Sequence, residues 1–290
     1  MVSSLASLLF LGIVPTVAAV TAPPRVLPGI EVVDIAPSSD VRDHFQMPVL
    51  SSSSALLIDL DSGEEIASID ADTPRPMASL TKIMTALLIL EDGRLSRIAT
   101  VPPITESIGG SSIELKTGEQ LSVQSLLQSL LIQSANDSAY TLAATAEGSV
   151  GKFVKRMNER ATVLGLTSTT FANPAGLDHP EQLSTARDLS FLTKAALRHD
   201  AFRRITDTRS SVISTYGGRS IGLRNTNEML HFNPDVHGVK TGTTNGAGEC
   251  LIIVFEEGSR SYMLVLLKSN DRYNDALRVL DAVKNAEANV

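Results

Sequence analysis

The middle of the chain repeats its apolar residues with the period of an α-helix. From Ser79 to Leu90 they recur every three or four positions, and Gly93 follows as a typical end signal. The same spacing predicts four more helices, namely Val123 to Ile132, Asp137 to Glu147, a segment with Phe153, Val154, Met157, Ala161 and Leu164 on one face, and Ser184 to about Arg198. This region is therefore predicted to be helical.

Strand-like patterns lie on both sides of the helical region. Before it, Ala55 to Leu60 and Glu64 to Asp70 flank an Asp-Ser-Gly turn, which predicts a hairpin. After it, short strands are predicted at Ser211 to Thr215, Ser220 to Leu223 and Gly238 to Thr244. The helices are thus expected to be framed by β-structure.

Two strongly apolar runs lie near the end of the chain. Glu249 to Phe255 and Ser261 to Lys268 are joined by a short Glu-Gly-Ser turn, as expected of central strands that are covered on both faces. An amphipathic helix from about Asp271 to Lys284 follows, with its inward face predicted at Leu277, Leu280 and Val283. A hairpin, a helical middle, a sheet and a final helix predict an α+β fold with an antiparallel sheet.

The first 54 residues differ from the rest. Leu5 to Val20 is mostly apolar and contains Val17-Ala18-Ala19, which fits a signal-peptidase site. Residues 1–19 are therefore predicted to be a signal peptide or, if uncleaved, a short N-terminal anchor. Residues 20–54 are rich in proline and serine and are predicted to be a tether. Residues 55–290 would then form one exported globular domain.

Composition excludes several classes of protein. With 43% hydrophobic and 20% charged residues, the 290-residue chain has an ordinary globular composition. Its net charge of -7 and the lack of a Lys/Arg run argue against nucleic acid or an anionic membrane surface as partner. Cys250 is the single cysteine, so an internal disulfide is excluded, and the five histidines lack metal-ligand spacing. No metal or cofactor is predicted.

A serine and a lysine one helical turn apart form the first candidate for chemistry. Ser79 begins a predicted helix and Lys82 lies on the same face, so the amine can act as the base for a nucleophilic hydroxyl. The pattern alone is weak, because Ser149 and Lys152 repeat it in a glycine-flanked turn that enforces no common face. The helical context favours the first pair.

Two further motifs follow in order. Lys240-Thr241-Gly242 leads into Thr243 in a β-rich segment, where an edge strand can offer a lysine, a hydroxyl and backbone donors to an anionic substrate. The other Lys-Thr-Gly copy, at residues 116–118, is predicted to be a surface turn. Ser134-Ala135-Asn136 falls in the break between two helices, where such residues often act only as caps. All three motifs in order, each in a suitable element, favour one shared site.

These three motifs resemble those of the D-alanyl-D-alanine carboxypeptidases among the low-molecular-mass penicillin-binding proteins. The resemblance covers about Ala55 to Val279, so residues 55–290 would be a D,D-peptidase catalytic domain. It extends to Met77-Ala78, Gly110-Ser111-Ser112, residues 171–177, Thr185-Ala186-Arg187-Asp188 and Asn225-Thr226-Asn227. It implies the penicillin-binding/β-lactamase-like transpeptidase fold, with an antiparallel sheet flanked by helices and a helical subdomain. It also implies peptidoglycan stem peptides as substrates, β-lactams as inhibitors, and a periplasmic or other extracytoplasmic place at the cell wall.

The resemblance implies a role for each motif residue. Ser79 would attack the carbonyl between two terminal D-alanines and form an acyl-enzyme, with Lys82 as base and Ser134 passing a proton to the leaving amine. Burial and the nearby Lys240 cation are expected to lower the pKa of Lys82. The substrate would be bound by Asn136, Lys240, Thr241, Gly242 and Thr243. Among these, Lys240 and Thr241 would hold the terminal carboxylate, and the backbone N–H groups of Ser79 and Thr243 would form the oxyanion hole.

Several alternatives stay open beside a carboxypeptidase. A D,D-endopeptidase of the same family, which cuts cross-links, uses the same residues. A class A-like β-lactamase would carry a Glu after the second motif, whereas no Glu lies between Glu159 and Glu181. A Ser-His-Asp hydrolase would need a Gly-x-Ser-x-Gly elbow, which is absent, and the histidines are predicted to be surface or cap residues: His44, His179, His199, His231 and His237. A non-catalytic peptidoglycan-binding module is the alternative outside the enzymes.

Two departures from the family pattern are visible. Ala135 stands where the family usually has glycine, a change that could alter the local backbone angle. The sequence also ends soon after Arg272-Tyr273, without the C-terminal β domain and amphipathic anchor of many relatives. Membrane attachment is therefore expected only through an uncleaved N-terminal segment.

Overall fold

The structure is a computed structural model that describes residues 40–290, so the predicted signal peptide and most of the predicted tether lie outside the described residues. The α-helices of this part are α1 (Val41–His44), α2 (Lys82–Asp92), α3 (Val123–Ile132), α4 (Asn136–Glu147), α5 (Val150–Val163), α6 (Ala186–Leu197), α7 (Asp200–Thr206), α8 (Met229–Phe232) and α9 (Arg272–Glu287). The strands are β1 (Ser54–Asp59), β2 (Glu65–Ile69), β3 (Ile98–Thr100), β4 (Gln120–Ser122), β5 (Ser210–Ser214), β6 (Ser220–Arg224), β7 (Lys240–Thr244), β8 (Gly248–Glu257) and β9 (Arg260–Ser269).

A five-stranded sheet in the order β2-β1-β9-β8-β7 forms the centre of the domain. Every pair in it is antiparallel. The two predicted apolar runs are β8 and β9, and both faces of β9 are covered: Val265 joins the larger hydrophobic cluster, while Leu264 and Leu266 join the smaller one under α9. The prediction of central strands is therefore confirmed. β7, which carries the second Lys-Thr-Gly copy, is an edge strand.

The helical region packs on the face of the sheet opposite α9 and supplies most of the larger cluster. α2 is buried along nearly its whole length and packs against α3, α4 and α6. α5 buries Phe153, Met157 and Ala161, as its periodicity predicts. Two small two-stranded sheets, β3 with β4 and β5 with β6, stand apart from the central sheet. No helix within residues 40–290 is long and apolar enough to cross a membrane.

The folded domain begins before Ala55, so the predicted end of the tether lies inside it. Val41 in α1 is fully buried. The Ser51 backbone N–H donates to Asp275 Oδ1 at 2.8 Å, and Ser52 Oγ donates to Asp275 Oδ2 at 2.6 Å. Asp275 is itself buried in the first turn of α9. Residues 40–54 are thus bound to α9 both by these polar contacts and by Val41 and Phe45, which share a hydrophobic cluster with the helix. A proline- and serine-rich composition does not reveal this attachment.

The inward face of α9 also differs from the prediction. Val283 is buried as expected, but Leu277 and Leu280 are only partly buried. The buried stripe consists of Ala276, Val279, Val283 and Ala286 together with Asp275. Small residues at these positions let the helix lie close to β8 and β9, and the leucines cover the margins.

Candidate active site

Ser79 lies on a 3₁₀ turn, Ala78–Thr81, that leads into α2. The helix predicted to begin at Ser79 thus starts with a tighter turn. Ala78, directly before the serine, has a φ of 46°, in the left-handed region that residues other than glycine rarely adopt. Ser134 in the second motif has a φ of 61°. Backbone strain of this kind concentrates at functional sites, because only a tightly packed surrounding can maintain it.

Two glycines press against the serine turn. A Cβ atom at Gly176 would lie 1.9 Å from the carbonyl oxygen of Ala78, and one at Gly242 would lie 2.9 Å from the backbone nitrogen of Ser79. No side chain fits at either position. The third position of the Lys-Thr-Gly motif must therefore be glycine, because the backbone of β7 directly contacts the backbone of the serine turn.

The side chain of Lys82 is fully buried and directed at Ser79. Its Nζ donates to Ser79 Oγ at 2.8 Å, to Asn136 Oδ1 at 2.7 Å and to the Ala175 carbonyl at 2.6 Å. Burial, reinforced by the Lys240 cation and opposed by Asp137, holds the pKa of Lys82 well below its ordinary value. The lowered pKa expected from the sequence is thus found. A neutral amine at this distance can take the proton of the Ser79 hydroxyl.

The Ser134-Ala135-Asn136 motif lies at the break before α4. Asn136 accepts from Lys82 through Oδ1 and donates through Nδ2 to the Gly109 carbonyl at 2.7 Å, so its amide is fixed in one orientation. Ala135 has φ -66° and ψ 121°, an ordinary extended conformation. Alanine in place of the usual glycine therefore introduces no strained backbone angle.

β7 places the Lys-Thr-Gly motif beside the serine turn. Lys240 is buried and its Nζ donates to the Thr241 carbonyl at 3.0 Å. Burial and then the Arg272 charge lower the pKa of Lys240 to about 7. The Thr241 hydroxyl lies 2.7 Å from that of Thr226, which belongs to the Asn-Thr-Asn segment that also matched the family pattern. Thr243 is exposed at the end of the motif.

Arg272 is a site residue that the sequence did not predict. From the first position of α9, its Nη1 donates to the carbonyls of Gly242 at 2.8 Å and Cys250 at 3.0 Å, and its Nη2 donates to Thr243 Oγ1 at 2.5 Å. Glu249 is its ion-pair partner, at 3.3 Å from Nε. The guanidinium thus fixes β7 and adds a positive charge beside Thr243. The one sequence signal was an arginine at the start of the last predicted helix.

The segment 171–177 holds the Ala175 carbonyl in place for Lys82. Asn173 Oδ1 accepts from three successive backbone N–H groups, those of Ala175, Gly176 and Leu177, at 3.2, 2.8 and 3.0 Å. Gln182 accepts from the backbone of Ala172 and Asn173 and donates to Thr81 Oγ1 at 3.1 Å. This segment, which matched the family pattern, is thus a buried support for the lysine.

The duplicate motifs lie away from this site. Ser149 caps α5 by accepting from the Lys152 backbone N–H at 3.3 Å, and the side chain of Lys152 is exposed. Residues 116–118 form an exposed turn. Both were predicted to be unrelated to chemistry. The prediction of a turn at Ser149 and Lys152 was wrong, however, because Ser149 is the N-cap of α5 and Lys152 lies in its first turn. The exposure of Lys152 is what separates this pair from Ser79 and Lys82. In the described part of the chain, no group of His, Cys, Asp and Glu side chains could hold a metal ion.

The fold and the site together define the class of penicillin-recognising serine enzymes. The defining features are an antiparallel sheet with a helical region, a buried lysine against a serine at a helix start, and an edge strand that carries a second lysine. Comparison with known proteins narrows this class. The family profile described as D-alanyl-D-alanine carboxypeptidase matches residues 42–271. The chain is 32% identical over 264 residues to a D-alanyl-D-alanine carboxypeptidase of Bacillus subtilis, which is 87% of this chain and 68% of that protein.

Two other relatives carry different activities in their names. A D-alanyl-D-alanine endopeptidase of Escherichia coli is 32% identical over 232 residues, covering 78% of this chain and 74% of that protein. The crystal structure of the Streptomyces K15 DD-transpeptidase superposes with a TM-score of 0.78 at 27% identity, covering 82% of this chain and 98% of that one. The chain belongs to the D-alanyl-D-alanine carboxypeptidase family of serine hydrolases. The predicted resemblance and fold class are both confirmed.

Proposed function

We propose that this protein is a D-alanyl-D-alanine carboxypeptidase that acts on peptidoglycan stem peptides through an acyl-enzyme on Ser79. The observation that carries the assignment is the fully buried Lys82, with its Nζ 2.8 Å from Ser79 Oγ and a lowered pKa. A lowered pKa increases the neutral fraction of the amine, and only the neutral amine can act as a base.

Acylation begins when Lys82 Nζ takes the proton of the Ser79 hydroxyl. Oγ then attacks the carbonyl carbon between the two terminal D-alanines, and the oxyanion is held by the backbone N–H groups of Ser79 and Thr243. The proton returns to the leaving nitrogen through Ser134, the C–N bond breaks, and D-alanine departs. Water later attacks the ester and gives one proton to Lys82. The lysine passes that proton to Ser79 Oγ as the C–O bond breaks, which releases the shortened peptide and regenerates the Ser79 hydroxyl and the neutral amine.

Binding of the substrate uses the charge gathered on β7. Lys240, supported by Arg272, attracts the terminal carboxylate, and the Thr241 hydroxyl donates to it. The Asn136 amide binds the peptide group on the acyl side. Gly242 contributes by having no side chain, since only then can the Thr243 N–H come near Ser79.

Covalent labelling with a fluorescent penicillin tests the assignment. The wild type is expected to be labelled, because a β-lactam enters the same acylation step and is released slowly. Ser79→Ala should abolish labelling, while Ser149→Ala, the matched serine of the duplicate pattern, should keep it. Labelling that survives Ser79→Ala contradicts the nucleophile, and a wild type that releases no D-alanine and takes no label points to a non-catalytic binding module.

A D,D-endopeptidase is the second candidate function, because an endopeptidase and a carboxypeptidase relative are equally identical to this chain. The two activities share the serine, the lysine and the oxyanion donors. Incubation with pentapeptide monomers and with cross-linked dimers separates them. Release of D-alanine from the monomer supports the carboxypeptidase, and disappearance of the dimer alone supports the endopeptidase. A class A-like β-lactamase would instead turn over the β-lactam rapidly.

The enzyme is proposed to act outside the cytoplasm at the cell wall, where its substrates occur. Residues 1–19 are proposed to be a signal peptide or an anchor, and residues 20–39 a tether. The mass of the protein recovered after export tests this. A mature chain that starts after Ala19 supports cleavage, whereas full-length protein in the membrane fraction supports an anchor.

A further inference from the structure

A surface cavity of about 330 Å³ opens beside the serine turn, near the end of β7 that lies away from Lys240. We refer to it as the side pocket. Its lining includes Pro76, Met77, Leu177, Asp178, His179 and Gly246. The walls thus come from the residues before Ser79, the loop after Gly176 and the turn between β7 and β8. Most of the wall is apolar, and no element of the catalytic step occupies it.

Asp178 places a carboxylate at the rim of the side pocket. Its Oδ1 accepts from Thr244 Oγ1 at 2.5 Å and its Oδ2 from the Gly246 backbone N–H at 3.1 Å. A carboxylate offers about four acceptor sites, so about two stay open for a ligand. No lysine or arginine within residues 40–290 forms an ion pair with Asp178, which is exposed. The rim therefore carries a carboxylate that pairs with no lysine or arginine of the described part of the chain.

The direction of β7 determines which part of a bound peptide reaches this pocket. A peptide paired antiparallel with the edge strand, with its carboxylate at Thr241 and its reactive carbonyl at Thr243, continues toward residues 245–246. Each extended residue advances about 3.3 Å. The residue that precedes the two D-alanines is then the one beside Gly246, and its side chain can enter the side pocket.

The charges along β7 fit a substrate with opposite charges at its two ends. Lys240 supplies a cation where the carboxylate binds, next to the ion pair of Arg272 and Glu249, and Asp178 supplies an anion beyond Thr244. The pocket between them has apolar walls. A long aliphatic side chain that ends in an ammonium group matches both the walls and the rim.

We propose that the side pocket binds the side chain that precedes the two D-alanines, and that Asp178 selects an aliphatic chain with a free ammonium at its end. The inference rests on the proposed function, because it uses the direction of the substrate along β7. An amine that has been joined to another peptide is an uncharged amide and loses the attraction of Asp178. The pocket thus favours stems that are not yet cross-linked through that amine.

Two synthetic tripeptides test this proposal. Nα-acetyl-Lys-D-Ala-D-Ala carries the ammonium, and its Nε-acetylated form carries a neutral amide of nearly the same shape. D-alanine release should give a kcat/KM about 3- to 5-fold higher for the ammonium form at low salt, the range expected of an exposed ion pair. Salt at about 1 M should remove the preference. This arm uses the wild type alone, so it is independent of whether a variant folds.

The Asp178→Asn variant should lose the preference by lowering kcat/KM for the ammonium form alone. Glu181→Gln, which removes an exposed carboxylate from the same loop, should keep it. Acylation by penicillin, which has no such side chain, should not change in either variant. A wild type that treats both tripeptides equally overturns the proposal, and so does an Asp178→Asn variant that lowers both tripeptides and penicillin alike. Failure of the proposed function looks different, because neither tripeptide would then be hydrolysed.

Discussion

The chain carries a serine and a lysine three residues apart at two helix starts, and only one pair forms a site. Ser149 uses its hydroxyl to cap α5, and Lys152 extends into solvent. Ser79 makes no side-chain cap bond to its turn, and Lys82 is fully buried. The spacing is the same in both pairs. The two pairs differ in the burial of the lysine, and burial by other elements is what allows Lys82 to act as a base.

Burial acts on the lysine through its protonation. Lys152 is exposed, so water surrounds its charged end. Enclosing Lys82 between α4, the 171–177 segment and β7 removes water from the charged form and so favours the neutral amine. The comparison therefore predicts large effects wherever this enclosure is disturbed, and small ones at the duplicate pair.

The largest effect is expected from removing the lysine itself. Lys82→Met should lower the rate of penicillin acylation by about 10²- to 10⁴-fold, the range for loss of a general base. Lys152→Met is the matched control and should leave the rate unchanged. Stopped-flow acylation of both variants measures this. A similar loss in the control would contradict the role assigned to burial.

Adding one methyl group at the contact with the serine turn should have the next largest effect. Gly242→Ala places a Cβ 2.9 Å from the Ser79 nitrogen, so β7 must move and the acylation rate should fall by about 10²-fold. Gly118→Ala changes the same position of the duplicate Lys-Thr-Gly motif, where a Cβ meets no atom within 4 Å. Its φ of 85° should cost about 1 kcal/mol of stability, without slowing acylation. Equal rates for the two variants would rule out the close approach as a requirement.

The pH dependence should show two lysines with opposite requirements. Lys82 must be neutral, so activity rises as pH increases through its lowered pKa and levels off far below the ordinary pKa of lysine. Lys240 must be charged to attract a carboxylate, so peptide hydrolysis should fall by up to about 10-fold as pH rises past its pKa of about 7. Lys240→Arg, which stays charged, should move this decline to higher pH. An unchanged decline in that variant would assign it to another group.

The smallest effect concerns the duplicate serine. Ser149→Ala removes the cap of α5 and should lower the free energy of unfolding by about 1 kcal/mol, with full penicillin labelling retained. Urea unfolding of the variant and the wild type measures the difference. Loss of labelling under native conditions would show that the two pairs are coupled.

Elements with strong local patterns could be predicted from the sequence. The bounds of α3 agree with the prediction, because Ser122 caps a continuous apolar repeat. β8 and β9 were evident because strands covered on both faces are apolar throughout. α7 was missed since its seven residues make only about two turns, too few for a period to show. The attachment of residues 40–54 was missed because it depends on Asp275 and the apolar face of α9, far along the chain.

The candidate site likewise combines residues that the sequence could predict with residues that it could not. Ser79, Lys82 and the Lys-Thr-Gly motif occur as short strings, so they could be recognised without knowing the fold. Arg272 reaches Gly242 across 30 residues of sequence, and the Ala175 carbonyl reaches Lys82 across 93. Contacts of this kind leave no periodic or local signal. These long-range contacts also enclose Lys82 and hold β7 beside it, and this enclosure allows the lysine of a common Ser-x-x-Lys spacing to act as a base.

The serine turn lies between two glycine backbones that belong to different parts of the molecule. Gly176 comes from a loop of the helical region and Gly242 from the edge of the sheet. Ser79 therefore lies at the boundary between the helical region and the sheet. The orientation of its side chain depends on both glycine backbones keeping their positions. A compound that moves β7 away from the turn would make Ser79 unreactive without occupying the substrate-binding site. Such a compound would slow acylation by penicillin, yet higher penicillin concentrations would not displace it.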